Sequence, residues 1–136
     1  MFHLIKILNG RAGVPEPERV SLTAPVTVEY GTPVVIKGGT LVKADASLAA
    51  LPTHLVLCDA NNASEVLVSP ISPEMVFEVP AAAVPTAMTV GSEYLLSSDG
   101  KLVTATAVTS GKRGATLVSK AGAQIAGDNL LVAFRN

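Results

Sequence analysis

The sequence predicts an all-β fold, a small β-barrel or β-sandwich built from a duplicated β-hairpin unit, and three observations carry that prediction. The apolar fraction is 49% of 136 residues, supplied largely by valine, alanine and leucine with no tryptophan, and β-branched side chains suit a pleated surface. Short apolar runs are separated by clusters of Gly, Pro, Asn and Asp, the punctuation of strands and tight turns. Finally, one segment recurs about sixty residues downstream: residues 31–44 (GTPVVIKGGTLVKA) align with residues 91–105 (GSEYLLSSDGKLVTA) if the second turn is given one extra residue. The match continues with residues 54–60 on 115–121 and residues 66–68 on 130–132. Each copy, about 30–68 and 90–132, therefore reads strand, glycine turn, strand, gap, strand, turn, strand. One copy is a curved sheet with a single apolar face, so two copies are expected to close on each other. The length fits a single domain, with an N-terminal strand and Pro-rich arm over residues 1–19 and the barrel over 20–136.

Residues 2–7 (FHLIKI) alternate weakly and read as a strand, ended by Asn9 and Gly10, a tight-turn pair. Pro15 and Pro17 then force an extended backbone with missing donors, which excludes a helix or a central strand. This stretch is either a connecting loop or an arm that reaches a neighbouring subunit, with Arg11 and Arg19 as anchors. Residues 20–22 and 26–29 read as strands broken by Pro25. Within the copies, Gly38 with Gly39 and Asp99 with Gly100 supply the backbone conformations that tight hairpins require. Between the copies, residues 72–80 form a strand flanked by prolines, with Met75, Phe77 and Val79 on one face and Val76 and Glu78 on the other. Residues 80–87 read as a linker because Pro85 stops any helix that the alanines begin, and a short helix is conceivable over 46–51.

Composition narrows function more than any motif does. A net charge of −1 leaves no basic stripe for a phosphate backbone, and the few aromatics argue against base stacking, so nucleic acid is not an expected partner. Residues 44–99 carry seven acids and no Lys or Arg, whereas Lys101, Lys112, Arg113, Lys120 and Arg135 face only Asp128 beyond Gly100. These are either ordinary solvated faces or an acidic and a basic side that steer head-to-tail packing. Cys58 is the only cysteine, which excludes an intrachain disulfide, and its setting in an apolar run predicts a small buried core residue. Residues 1–8 lack the features of a signal peptide and no apolar run is long enough to span a membrane, so neither export nor a membrane is expected.

No motif supplies a chemical site. His3 and His54 have no second ligand at metal spacing, so no metal is expected. His54 and Cys58 fall on one face of an extended strand but too far apart for a nucleophile and its base. Asp45, Asp59, Asp99 and Asp128 all adjoin turns, where carboxylates bond their own backbone. Nucleophile elbows, phosphate loops and dinucleotide fingerprints are absent from the sequence. Duplicated β organisation also invites comparison with biotinyl and lipoyl carrier domains, but Lys37 lacks their flanking pattern. The expectation is a non-enzyme without cofactors.

A family resemblance adds to this. The N-terminal strand running into Asn9, Gly10, Pro15 and Pro17 resembles the start of small head proteins of tailed phages and prophages. So do Gly31, Pro33 and Val34 leading to Gly39, Leu41, Val42 and Ala44, then LVLCD over 55–59, VLV over 66–68, EMVFEV over 74–79 and SDGKLVTAT over 98–106. The first hairpin, with Leu41 and Val42, is similar to the corresponding element of lambda-type head decoration proteins. The resemblance implies a capsid decoration, or cement, protein: a virion component made in the bacterial cytoplasm that sits on the outer capsid surface, commonly as a trimer, and binds the major capsid protein. The arm is then the candidate capsid contact, through Phe2, His3, Arg11, Pro15, Pro17 and Arg19. The alternatives are another virion part, such as a fibre base or head-tail connector, and a small-ligand-binding β-barrel.

Overall fold

A computed structural model describes residues 1–7, 16–45, 47 and 49–135. Among them there is no helix, and eleven strands form two antiparallel sheets. A first strand, β1 (His3–Ile7), precedes two sets of five. The first set is β2 (Glu18–Val28), β3 (Pro33–Lys37), β4 (Thr40–Lys43), β5 (His54–Val56) and β6 (Ala60–Pro70). The second is β7 (Met75–Pro80), β8 (Glu93–Leu96), β9 (Val103–Ala107), β10 (Ala115–Ser119) and β11 (Asn129–Ala133). The first set pairs in the order β2-β6-β5-β3-β4 and the second in the order β7-β11-β10-β8-β9, with β1 added outside β7. Both sets thus follow one path, in which the opening strand pairs with the closing one and the hairpin lies at the far side.

Register confirms the duplication residue by residue. Val34 lies opposite His54 as Tyr94 lies opposite Ala115, and Val56 lies opposite Val68 as Leu117 lies opposite Val132. These are the pairs that the sequence alignment superposes. Ile36 faces Leu41 whereas Leu96 faces Val103, one place further along than the extra residue in the second turn alone would put it. The repeat also starts one strand earlier than the sequence match. Val20 faces Val66 and Val79 faces Leu130, so β2 and β7 are equivalent although their side chains share little.

The turns do what the glycines require. Gly38 and Gly39 both have positive φ, 59° and 78°, the conformation that a two-residue hairpin turn needs. Gly100 also has positive φ, and a Cβ there would lie 2.2 Å from the Ala44 carbonyl oxygen, so only glycine lets the second hairpin touch the first set of strands. Asp99 fixes that turn by accepting from Ser97 Oγ at 2.6 Å and from the Lys101 amide at 3.0 Å, bonds that hold its carboxyl below the usual range.

The first sheet bends until its ends meet, and the second curls so that the chain after β7 meets β9 while β1 stays outside the closure. In the first, the Thr23 amide donates to the Gly39 carbonyl at 2.9 Å, joining β2 to the hairpin turn and closing the sheet around Leu22, Val28, Val34, Val56, Val66 and Val68. In the second, the Ala82 amide donates to Val103 at 2.8 Å across an isolated parallel bridge. Its interior holds Phe77, Val79, Leu96, Leu117, Leu130 and Val132, and it also takes in Ala44 and Leu55 from the first set. Each fully buried side chain of this size stabilises the fold by about 1.5–3 kcal/mol.

Several local expectations change. The two strands expected around Pro25 are one strand, β2, whose register shifts between Ser21 and Val26, and the proline sits within that irregularity because it has no amide to give the ladder. The strand at 72–80 places Met75, Phe77 and Val79 in the second core as expected, but Val76 on the opposite face is buried as fully as Phe77. The linker after Pro80 is not a loose tether: Ala81, Pro85 and Met88 are buried against the second sheet. No helix is found over 46–51, where Ser47 is a turn, Ala49 and Ala50 are bends, and residues 46 and 48 lie outside the described residues.

Candidate docking surface at the sheet junction

The structure separates the six proposed contact residues into three groups. Phe2 is wholly buried and belongs to the core. Its ring centroid lies 5.4 Å from Phe134 and 6.3 Å, edge-on, from Phe77, and Phe77 and Phe134 lie 5.7 Å apart, so the three phenylalanines of the chain form one cluster. The Phe2 amide donates to Gly31 at 3.0 Å, and the Met1 amine donates to the Lys101 carbonyl at 2.5 Å. Burial pushes the pKa of that amine down, a stronger effect than the opposing pull of Asp99. The expectation that Phe2 is a contact residue is therefore corrected: a side chain without accessible surface offers nothing to a partner while β1 stays docked, and removing residues 1–19 would remove part of the core.

His3, Pro17 and Arg19 form the second group and are exposed. The His3 ring lies 5.9 Å from Tyr30, and Arg19 pairs with Glu65 at 3.6 Å. Arg11 and Pro15 make up the third group and lie outside the described residues. His3 stands on β1, the terminal strand of its sheet, whose outer backbone edge pairs with no strand among the described residues.

Beside this edge, between the two sheets, is a cleft of about 480 Å³. Leu4, Met75 and Phe77 wall one side, where Leu4 faces Phe77 across the ladder and so shares its face. Leu55, Leu57, Ser69, Pro70 and Ile71 wall the other, and His3, Glu16, Pro17 and Tyr30 complete the lining. Ser69 is buried and its Oγ has no hydrogen-bond partner, an arrangement that costs on the order of 1–3 kcal/mol. Sequence reading missed this cleft because its lining comes from β1, β5, β6, β7 and four of the connections between strands. One signal was legible: Ser69 occupies the place that Ala133 holds in the second copy, a hydroxyl on a strand face that is otherwise apolar.

The C-terminal cations and the aspartates find partners within the chain. Lys101 pairs with Glu29, which raises its pKa, and Arg113 binds Glu93 through Nε at 3.0 Å and Nη2 at 3.2 Å while Nη2 also donates to the Arg135 carbonyl. Lys112, Lys120 and Arg135 donate to the carbonyls of Ser47, Thr86 and Pro73. Each C-terminal cation thus serves an oxygen of this chain, which favours solvated faces over a basic side. Asp45, Asp99 and Asp128 bond nearby amides as expected, with backbone bonds from Gln124 and Ile125 holding Asp128 below its usual pKa, whereas Asp59 reaches across to the Tyr30 amide at 2.7 Å. Cys58 is exposed rather than buried, because β5 ends at Val56 and the chain bends at Cys58 before β6 begins. His54 bonds Glu18 at 3.0 Å and Thr53 at 2.8 Å. Among the described residues no three His, Cys, Asp or Glu side chains converge on a point, and no helix is long and apolar enough to cross a membrane. No protein-family model matches the chain, and no curated protein matches it significantly.

Proposed function

We propose that this chain is a decoration protein of a phage or prophage head, a rigid β module that binds the outside of the assembled capsid and ties neighbouring major capsid subunits together as a trimer. The observation that carries this reading is the outer edge of β1, which pairs with no strand among the described residues and is held in place by Phe2 in the core beneath it. An exposed strand edge is a template for an added strand, and a natural sheet leaves one uncovered where it serves binding. Anchoring the edge through three packed phenylalanine rings lowers the ordering entropy that a free arm would lose on docking. The residues that carry the phage-head resemblance fall largely on the two hairpins and on β5 to β7, the framework rather than the contact surface. The chemistry is mechanical: a module that binds only the assembled lattice stabilises it by linkage, and many modest contacts act together.

Two measurements test this. Quantitative mass spectrometry of gradient-purified particles from the source organism should find the chain at a fixed ratio to the major capsid protein, in hundreds of copies. A handful of copies would transfer it to the fibre base or connector, and none would remove it from the virion. In parallel, the double variant His3→Asp with Arg19→Glu changes exposed positions only. It should lower binding to expanded empty shells by about tenfold through charge mismatch at the contact, with thermal stability unchanged. Undiminished shell binding would place the contact elsewhere.

A further inference from the structure

The cleft between the sheets has features that strand addition at β1 does not need. We infer that it is a binding site for a small neutral molecule, an apolar body carrying one hydrogen-bonding group such as a hydroxyl. Its volume of about 480 Å³ falls within the range of small-molecule sites. The apolar side is supplied by Leu4, Leu55, Leu57, Ile71, Met75 and Phe77.

The hydrogen-bonding group is specified by Ser69. Ser69 faces Leu55 across the β5–β6 ladder, so its side chain lies on the face that Leu55 turns toward the second sheet. Its hydroxyl has no partner among the described residues, and buried polar groups are normally paired. The fold itself does not call for the hydroxyl, because the second copy places buried Ala133 at the equivalent position, opposite Thr116 as Ser69 is opposite Leu55. A ligand that brings a donor or acceptor completes that bond.

Neutrality follows from the rim. Among the described residues the cleft is lined by one carboxylate, Glu16, by the imidazole of His3 and by no Lys or Arg. A fatty-acid-like carboxylate would face Glu16 with no permanent cation to receive it. A phenol or an aliphatic alcohol meets neither penalty.

The test uses the full chain and two probes of one shape, p-cresol and toluene, followed by methyl NMR of Leu4, Leu55, Leu57, Ile71 and Met75. Both should shift this set saturably, and p-cresol should bind roughly three- to ten-fold more tightly, the value of one net hydrogen bond. Ser69→Ala, a change that the Ala133 position already tolerates, should bring the two probes to parity without loss of folding. Ile71→Trp, at a half-buried lining position, should fill the cleft and abolish both. Shifts scattered over the surface, no saturation up to the probes' solubility, or an unchanged preference for p-cresol in Ser69→Ala would each overturn the assignment.

Discussion

The two five-stranded units trace the same path but differ in their opening strand. In the second unit β7 is a core strand, with Met75, Val76, Phe77 and Val79 all buried, while in the first only Leu22 and Val28 of β2 are. The difference follows from their neighbours. β7 is flanked by β11 and β1, so both its edges are paired, and its Met75, Phe77 and Val79 pack into the second core, whereas β2 has β6 on one side and meets the hairpin turn only near Thr23 on the other. Glu18 and Arg19 occupy the places that Phe77 and Glu78 hold in β7, and Pro17 precedes them where β7 has Val76. Charge and proline at a strand edge discourage further pairing. Turn chemistry and register therefore set the path, and the presence of one added strand sets which opening strand is core.

The largest test of this contrast is to cut equivalent cores. Phe77→Ala removes a ring from the phenylalanine cluster and should cost about 3–5 kcal/mol, while Val66→Ala in the first unit should cost roughly 1.5–3 kcal/mol. Because Phe2, Ala44 and Leu55 share the second core, urea denaturation should show one transition in both variants. Two transitions in Phe77→Ala would mean that the first unit stands alone.

Next come the hairpin glycines. Gly100→Ala drives a Cβ into the Ala44 carbonyl, whereas a Cβ at Gly38 meets nothing within 4 Å. The first should lower stability by several kcal/mol, on the order of 3, and the second by about 1 kcal/mol for the positive φ alone. Equal losses, measured as denaturation midpoints, would show that the contact between the units carries little.

A smaller effect is expected at Glu93, whose carboxylate receives Arg113 and also the Gly114 amide at 2.6 Å, while its counterpart in the first unit is Pro33. Glu93→Gln should cost about 1.5–3 kcal/mol, the range for hydrogen bonds to a charged group. A change within 0.5 kcal/mol, the scatter of ordinary surface substitutions, would demote the pair to decoration.

The smallest effect is in acid. Asp99 and Asp128 have lowered folded pKa values, so the stability they supply is complete above the unfolded carboxylate value near ~4 and is lost as pH falls through the lower folded values. Both lie in turns of the second unit, and the Gly38 and Gly39 turn holds no carboxylate. Amide exchange at pH 3 should therefore loosen residues 97–101 and 123–128 before residues 37–40. Simultaneous loosening would deny the asymmetry.

How much of this was legible follows from the range over which each feature is encoded. The hairpins were readable because Gly38, Gly39, Asp99 and Gly100 act within four residues. The equivalence of β2 and β7 was not, because strand identity there rests on pairing with β6 and β11, some forty to fifty residues away, and the side chains had diverged with burial. Phe2 read as part of an arm because its partners, Phe77 and Phe134, are remote in sequence. Cys58 misled because an apolar run was taken as strand to its end. The cleft needs four strands and four connections at once, and only Ser69 against Ala133 hinted at it.

Repetition of one path also creates a hazard during folding, since the closing strand of either unit offers a ladder to the opening strand of the other. The short connection at residues 71–74 keeps both candidates close. Mispairing of β2 with β11 would carry the Glu18 carboxylate into the position of Phe77, beside Phe2 and Phe134. Burying that charge costs several kcal/mol. The polarity gap between the two opening strands thus acts as a sorting code that keeps each half of the chain with its own partner, a form of error rejection written in side chains that the finished fold leaves at its surface.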